Sequence, residues 1–373
     1  MRSSYGTNFQ LTLFGESHGP AVGFVLDGLP AGIELDLQNI RDALTRRRPA
    51  GKISTQRQEA DEFRFLSGFY QGRTCGTPLT FVIENTAQRS SDYDEMQFLP
   101  RPSHADYAAF AKYGGYQDPR GGGHFSGRVT AGLVAAGAIF QQILSEHGIA
   151  IGTHVRRCQD IQDRPLDWDN LPADLAALQT PGFPVLDASA RQKMLLAIEA
   201  AQSEGDSLGA VLETAVSGMP AGIGEPFFHS VESELSHLLF SIPAVKGVAF
   251  GLGFGFADGR GSELNDAFVA LTPGHAVTRT NYNGGINGGI TNGMPVVFST
   301  VVKPTPSIYK EQDTVDVRTG APKKLRIRGR HDPAIFHRAR AVVDAATAMA
   351  LCDLMLGRFG YLWARKEGPC VTV

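Results

Sequence analysis

Apolar positions along the chain fall into two periodicities. Runs rich in Val, Phe, Thr and Ile at 22–26 (VGFVL), 79–84 (LTFVIE), 208–217 (LGAVLETAVS) and 295–303 (PVVFSTVVK) predict strands. Helical spacing follows Asp36, an N-cap type residue, with Leu37, Ile40 and Leu44 on one face of a helix running through Arg48. A second helix is predicted from about Thr130 to His147, stopped by Gly148. Its Ala131, Gly132, Ala135, Ala136, Gly137 and Ala138 permit close packing. A third covers about Ala190–Ser203, and a short one about Glu232–Phe240. The longest follows Pro333, a residue suited to a first helical turn, and continues to about Arg358. Its AVVDAATAMALCDLML stretch is apolar nearly all round and belongs in the interior. No composition shift marks a linker and no repeat is legible, so residues 1–373 read as one large α+β unit.

Composition narrows the class. A chain of 373 residues with 42% hydrophobic content has material for a large core. A net charge of −3 argues against a general nucleic-acid or anionic-membrane binder. There is no run of about 18 apolar residues, and MRSSYGTNFQ lacks a signal-peptide core. Cys75, Cys158, Cys352 and Cys370 are far apart and form no C-x-x-C pair, which reads as reduced thiols. The expectation is a soluble, cytoplasmic protein without structural zinc.

Glycine, at 43 residues, clusters in 119–128 (PRGGGHFSGR), 249–263 (AFGLGFGFADGRGSE) and 281–293 (NYNGGINGGITNG). Such runs either let backbone approach a ligand or another backbone, or form flexible linkers. There is no P-loop, GLGFGF has the wrong spacing for a dinucleotide turn, and the histidines show no metal-ligand spacing. What remains is anion chemistry. Arg46, Arg47, Arg48, Lys52 and Arg57 crowd one segment, which taken alone reads as a solvated basic surface. Arg120 and Arg128 flank the first glycine cluster, and Arg326, Arg328 and Arg330 precede His331. In an acidic protein, arginines beside glycine loops suit a ligand carrying phosphate and carboxylates. Ser126 and nearby N–H groups stand at a helix start, where anions are favoured. Glu16, Ser17 and His18 sit between Gly15 and Gly19, and His104 lies in RPSHADY. Asp332 in GRHDP reads structurally as a helix N-cap before Pro333.

These motifs are not independent. GESHG, RRRP, RPSHADY, GGG…SGR, NGGINGGITNG, KPTPS (303–307) and GRHDP occur in the order, and at roughly the spacing, of chorismate synthases. The chain resembles that family over essentially its whole length. The resemblance implies a β-α-β sandwich, with long central helices packed between antiparallel sheets, assembled as a homotetramer. It implies the 1,4-elimination of phosphate from 5-enolpyruvylshikimate 3-phosphate to give chorismate, with reduced FMN and no net redox change. By the same resemblance His18 is the general acid for the departing phosphate, with Ser17 as relay. His104 stabilises charge on the reduced flavin, and Asp332, relayed through Ser126, assists proton removal. Arg48, Arg128 and Arg330 match substrate-binding positions. The flavin is expected along His124, Phe125 and Ser126, Pro243 and Ala244, Gly288, Lys303, Pro304, Thr305, Pro306 and Ser307, and Arg330. Arg47 and Lys52 match positions linked to NADPH in members that reduce their own flavin; the alternative is FMNH₂ supplied from outside.

The chain departs from the family pattern in three places. The central loop reads Gly122-Gly123-His124-Phe125-Ser126-Gly127-Arg128 where G-G-R-S-S-A-R is commonest, Pro243 replaces a frequent asparagine, and NYNGGINGG stands for NHAGGILGG. Two other functions are compatible with the residues alone. One is a flavin-free acid–base elimination at the same arginines; the other is a non-enzymatic oligomer whose glycine loops contact RNA, against which the acidic balance argues.

Overall fold

The small residues of the Thr130–Glu146 helix set the architecture. A Cβ on Gly132 would stand 2.9 Å from the Gly23 carbonyl oxygen, and one on Gly137 only 2.2 Å from Ala345 Cβ. The helix therefore touches strand backbone on one side and the Phe336–Phe359 helix on the other. That second helix meets a different sheet, where Thr153 donates to Asp344 at 2.5 Å and shares a 2.7 Å hydrogen bond with Thr214. Sheet, helices and sheet thus stack as three layers. The computed structural model describes residues 3–49, 53–54, 61–86, 98–327 and 332–366.

Both sheets are five-stranded and antiparallel throughout. The N-terminal sheet runs Ser4–Tyr5, Gln10–Gly15, Ala21–Asp27, Leu79–Glu84, Phe63–Ser67. The C-terminal sheet runs Val245–Phe250, Val296–Val302, Ala210–Ser217, Ala150–Cys158, Ile161–Gln162. Phe24 and Phe81, paired in register, stack within the core at 4.9 Å between ring centroids. One apolar cluster extends from Phe9 to Ala364 through the helical layer. This is the α+β sandwich expected from the sequence.

Most predicted elements are present, with shifted ends. Asp36 caps Leu37–Arg47 by accepting from the Gln38 and Asn39 amides. The second helix ends at Glu146 with Gly148 at φ +76°, and the third starts earlier, at Ala188, behind an Asp187 cap. Ser230 caps Val231–Ser241. The C-terminal helix corrects one reading: it begins at Phe336, its N-cap Ile335 supplies no side-chain cap, and Asp332 and Pro333 lie outside it. The reason is tertiary. Leu208 donates its N–H to the Pro333 carbonyl at 2.8 Å and pairs with Ala334, which keeps this stretch extended. The glycine clusters are packed backbone, not linkers: a Cβ on Gly251 would lie 1.9 Å from the Tyr282 carbonyl, joining the second and third clusters. Among the described residues one helical segment, Gly127–Glu146, is long and apolar enough by length and composition to cross a membrane, but 78% of that stretch is buried inside the protein.

Candidate active site

The Gln10–Gly15 strand turns back into Ala21–Asp27 through the GESHG loop. Gly15 allows the turn, with φ +104° and the Ala21 carbonyl 2.3 Å from where a Cβ would be. One amide side chain fixes the loop: Asn85 Nδ2 donates to the Glu16 carbonyl at 3.0 Å and the Gly19 carbonyl at 2.8 Å. Ser17 donates its N–H to the Gly123 carbonyl at 3.0 Å. The facing loop holds three consecutive left-handed residues, Gly121, Gly122 and Gly123 (φ 60°, 84° and 53°). A Cβ at Gly121 would intrude to 2.6 Å from His18 Cδ2 and 2.9 Å from Ser17 Oγ, so the bare backbone lets this loop lie on both side chains. Ser17 and His18 are 2% and 5% exposed. His124 anchors the glycine loop, its Nδ1 donating to the Gly15 carbonyl at 2.8 Å and its Nε2 meeting Ser3 Oγ at 3.2 Å.

From this loop a circuit of contacts passes through most of the expected site residues. Gly122 faces Ser126 and the guanidinium of Arg101. Arg101 is held bidentately by Asp106 at 2.7 and 2.8 Å. Burial alone would raise the Asp106 pKa, but the bonds and charge of Arg101 hold it below the ordinary carboxylate value. Directly after left-handed Ser103, His104 Nε2 shares a 2.7 Å hydrogen bond with Ser307 Oγ. Lys303 Nζ donates to the Ser103 carbonyl at 2.6 Å, and its backbone N–H donates to Ala244 at 2.9 Å. Ser207 Oγ donates to the Thr305 carbonyl. Ser307, Asp332 and Pro333 line one small cavity. Asp332 accepts from Arg338 at 2.7 Å, and Arg338 Nε donates to the Arg47 carbonyl at 2.9 Å. Arg47, Arg48 and Arg128 then converge on Asp61, and Arg128 Nε donates back to Asn85 Oδ1 at 2.9 Å. The circuit closes on the amide that fixes the GESHG loop.

The Asp61 side chain is fully buried and serves three guanidiniums: Oδ2 accepts from Arg47 at 3.1 Å and Arg48 at 3.2 Å, and Oδ1 accepts from Arg128. Burial would raise its pKa; Arg47, Arg128 and Arg48 outweigh that and bring it below the ordinary value. Burial also pulls Arg47 down to about 10, against the attraction of Asp61. Arg47 and Arg48 are therefore not a solvated basic surface. Arg120 is engaged locally with Asp118 at 2.8 Å.

Ser17, His18, His104, Ser126, Arg47, Arg48, Arg128, Ala244, Lys303, Thr305, Ser307 and Asp332 all belong to the circuit or touch it. Pro243 is exposed beside Ala244. Phe125 is 42% exposed, 6.1 Å from the Tyr113 ring. Gly288 is in a separate turn, whose next residue, Gly289, packs on Ser230. Lys52, Arg330 and His331 lie outside the described residues. Sequence reasoning missed Asp61 and Asn85, neither of which sits in a recognisable motif. Among the described residues no group of His, Cys, Asp and Glu could hold a metal ion.

Comparison with known proteins defines the class. A family model described as chorismate synthase matches residues 9–356. A chorismate synthase of Thermococcus gammatolerans is 45% identical over 95% of this chain and 97% of its own length. Those of Aeropyrum pernix and Chitinophaga pinensis are 44% and 42% identical, covering 99% and 95% of this chain and 97% and 96% of theirs. A solved structure described as "Crystal Structure of Chorismate Synthase" superposes with a TM-score of 0.74 at 26% identity, covering 95% of this chain and 94% of that one. The protein is thus a carbon–oxygen lyase acting on a phosphate ester. The chain belongs to the chorismate synthase family. The family's activity is the elimination of phosphate from 5-enolpyruvylshikimate 3-phosphate to give chorismate, the last step of the shikimate pathway, and it requires reduced flavin.

Proposed function

We propose that residues 1–373 form one catalytic unit that uses reduced FMN, with the circuit around GESHG as its active site. The observation that carries this reading is the set of contacts, joined at the cavity shared by Ser307 and Asp332, that links His18, the glycine loop, His104 and the arginines. The residues fit a planar anionic cofactor. Gly121–Gly123 offer bare backbone, an added Cβ at Gly288 would meet nothing within 4 Å, Phe125 presents an aromatic ring, and Lys303 supplies a cation. Burial, with Lys246 nearby, lowers the Lys303 pKa, so this ammonium gains from an anionic partner. FMN would be held by His124, Phe125, Ser126, Pro243, Ala244, Gly288, Lys303 to Ser307, and Arg330. When bound, reduced flavin supplies an electron that is returned at the end of the cycle.

The chain's own groups do the rest. Arg48, Arg128 and Arg330 bind the substrate's phosphate and carboxylates, since guanidiniums match both geometrically. His18, with Ser17 as relay, delivers a proton to the oxygen of the leaving phosphate. His104 carries positive charge toward the cofactor and is oriented by Ser307. Asp332, through Ser126, accepts the ring proton. Acid–base help of this kind is worth about 10²–10⁴-fold per group. Arg47 and Lys52 serve NADPH where it is the reductant, although the buried Arg47 side chain is engaged with Asp61. The protein works in the cytoplasm as a homotetramer. Exposed Phe227, Phe228 and Phe254, and the apolar Phe268–Thr272 strand, support assembly, because such surface is normally covered.

The test is an oxygen-free assay counting chorismate per electron supplied. One equivalent of FMNH₂ is expected to support many turnovers, oxidised FMN none, and NADPH is expected to be consumed only to reverse oxidation by air. One product per reductant would mean net redox chemistry, and full activity with oxidised FMN a simple lyase; either result defeats the reading.

A further inference from the structure

The Asp61 carboxylate takes no part in the chemistry assigned above, and its surroundings exclude a role as a base. Its side chain is fully buried, and both oxygens are occupied by guanidiniums. Its backbone is left-handed at φ 51°, a conformation that Asp tolerates better than most residues and that aims the carboxylate into the arginines. Arg47, Arg48 and Arg128 come from separate places, one helix end and the stretch after the glycine loop. Three cations this close repel one another, and the shared carboxylate is what lets them converge.

We propose that Asp61 is a positioning residue for substrate recognition: it sets the separation and orientation in which Arg48 and Arg128 receive the phosphate and carboxylates, with Arg47 as a buried strut. This rests on the reading of Arg48 and Arg128 as substrate ligands. Arg128 is tied through Nε to Asn85, which also holds the GESHG loop, so the arginines are placed relative to His18 as well as to each other. The competing role for Asp61 is an internal counter-ion that substrate must displace, and the two roles predict opposite signs.

The experiment titrates 5-enolpyruvylshikimate 3-phosphate into enzyme with oxidised FMN, so that no turnover occurs, and measures KM and kcat separately with reduced FMN. Asp61→Asn is expected to weaken substrate binding by roughly 10-fold to 100-fold, the scale of an ångström-size misplacement. At saturating substrate, kcat is expected to stay within about threefold, since the acid–base groups are untouched. Combined with Arg48→Ala, it is expected to add less than its separate effect, because both act through one contact. Unchanged or tighter binding in Asp61→Asn, or effects that multiply, would overturn the proposal. Asp61→Glu retains the charge but moves it by one methylene. Weakened binding with a near-native melting temperature supports positioning, and native affinity overturns it, which keeps the test decisive if Asp61→Asn does not fold. Native affinity in Arg48→Ala alone would instead remove the substrate-ligand reading on which the proposal stands.

Discussion

Two buried ionic clusters in this molecule are built on opposite plans. Around Asp61, three guanidiniums share one carboxylate. Around His154, in the C-terminal sheet, one imidazole lies between two carboxylates, Asp163 at 2.6 Å and Glu213 at 2.9 Å. The second cluster is wrapped by its own backbone: Asp163 also accepts from the N–H groups of Arg164, Leu186 and Asp187 at 2.8–2.9 Å. Backbone donors there satisfy the excess negative charge and stitch the 163–187 segment to the sheet. At Asp61 the partners described are the three guanidiniums, and Arg128 leads on through Asn85 to the loop that carries Ser17 and His18. A buried charge whose surplus is satisfied internally is architecture; one tied to a candidate active site points to a ligand.

The sharpest break between the two should come from His18→Ala, which is expected to lower kcat by about 10²–10⁴-fold while leaving the urea midpoint nearly unchanged. Steady-state assay beside denaturation checks both halves. His154→Asn should do the reverse, costing about 3–5 kcal/mol of stability by leaving two carboxylates unpaired, with turnover of the folded fraction intact. Its pH dependence follows from the imidazole. Burial would lower the His154 pKa, but the bonds to Asp163 and Glu213 raise it overall. The stabilisation is therefore complete below the unfolded value of about 6.5 and fades as pH rises through the folded value. The gap in urea midpoint between wild type and His154→Asn should shrink from pH 6 to pH 9, and a gap that widens would refute the charged-imidazole description. Arg48→Ala is expected to weaken substrate binding by about 1.5–3 kcal/mol, the size of a charge-assisted contact. Calorimetry should find little change in ligand-free stability, because this side chain is 31% exposed. Gly137→Ala, in neither cluster, should cost about 1–3 kcal/mol by pushing a methyl into Ala345, with catalysis per folded molecule unchanged.

The same contrast explains what could be read from the sequence. The helices were legible where caps and stops are local, as at Asp36 and Gly148. The Ala150–Cys158 strand was not, because Thr153 and His154 look polar until Asp344, Asp163 and Glu213 are brought to them from distant segments. Asp332 followed by Pro333 has the local form of a helix start, but pairing with residue 208 overrides it. At the site, GESHG, RPSHADY and KPTPS identified themselves as motifs. Asp61 and Asn85 did not, since a lone Asp in EADE and a lone Asn after a strand carry no signal until three arginines and a loop are seen to converge on them.

The hold of the last long helix on the first residues bears on how the molecule is made. Asp353 accepts from the backbone N–H groups of Thr7 and Asn8, at 2.9 and 2.7 Å, across 346 and 345 positions of chain. At about 5–20 residues per second, the start of the chain leaves the ribosome some ~17–70 s before its partner exists. During that interval the Thr130–Glu146 helix, already made, lacks the Phe336–Phe359 helix whose Ala345 packs on its Gly137. Such long-range closure makes for slow folding. The core therefore closes late in synthesis, when the Phe336–Phe359 helix arrives.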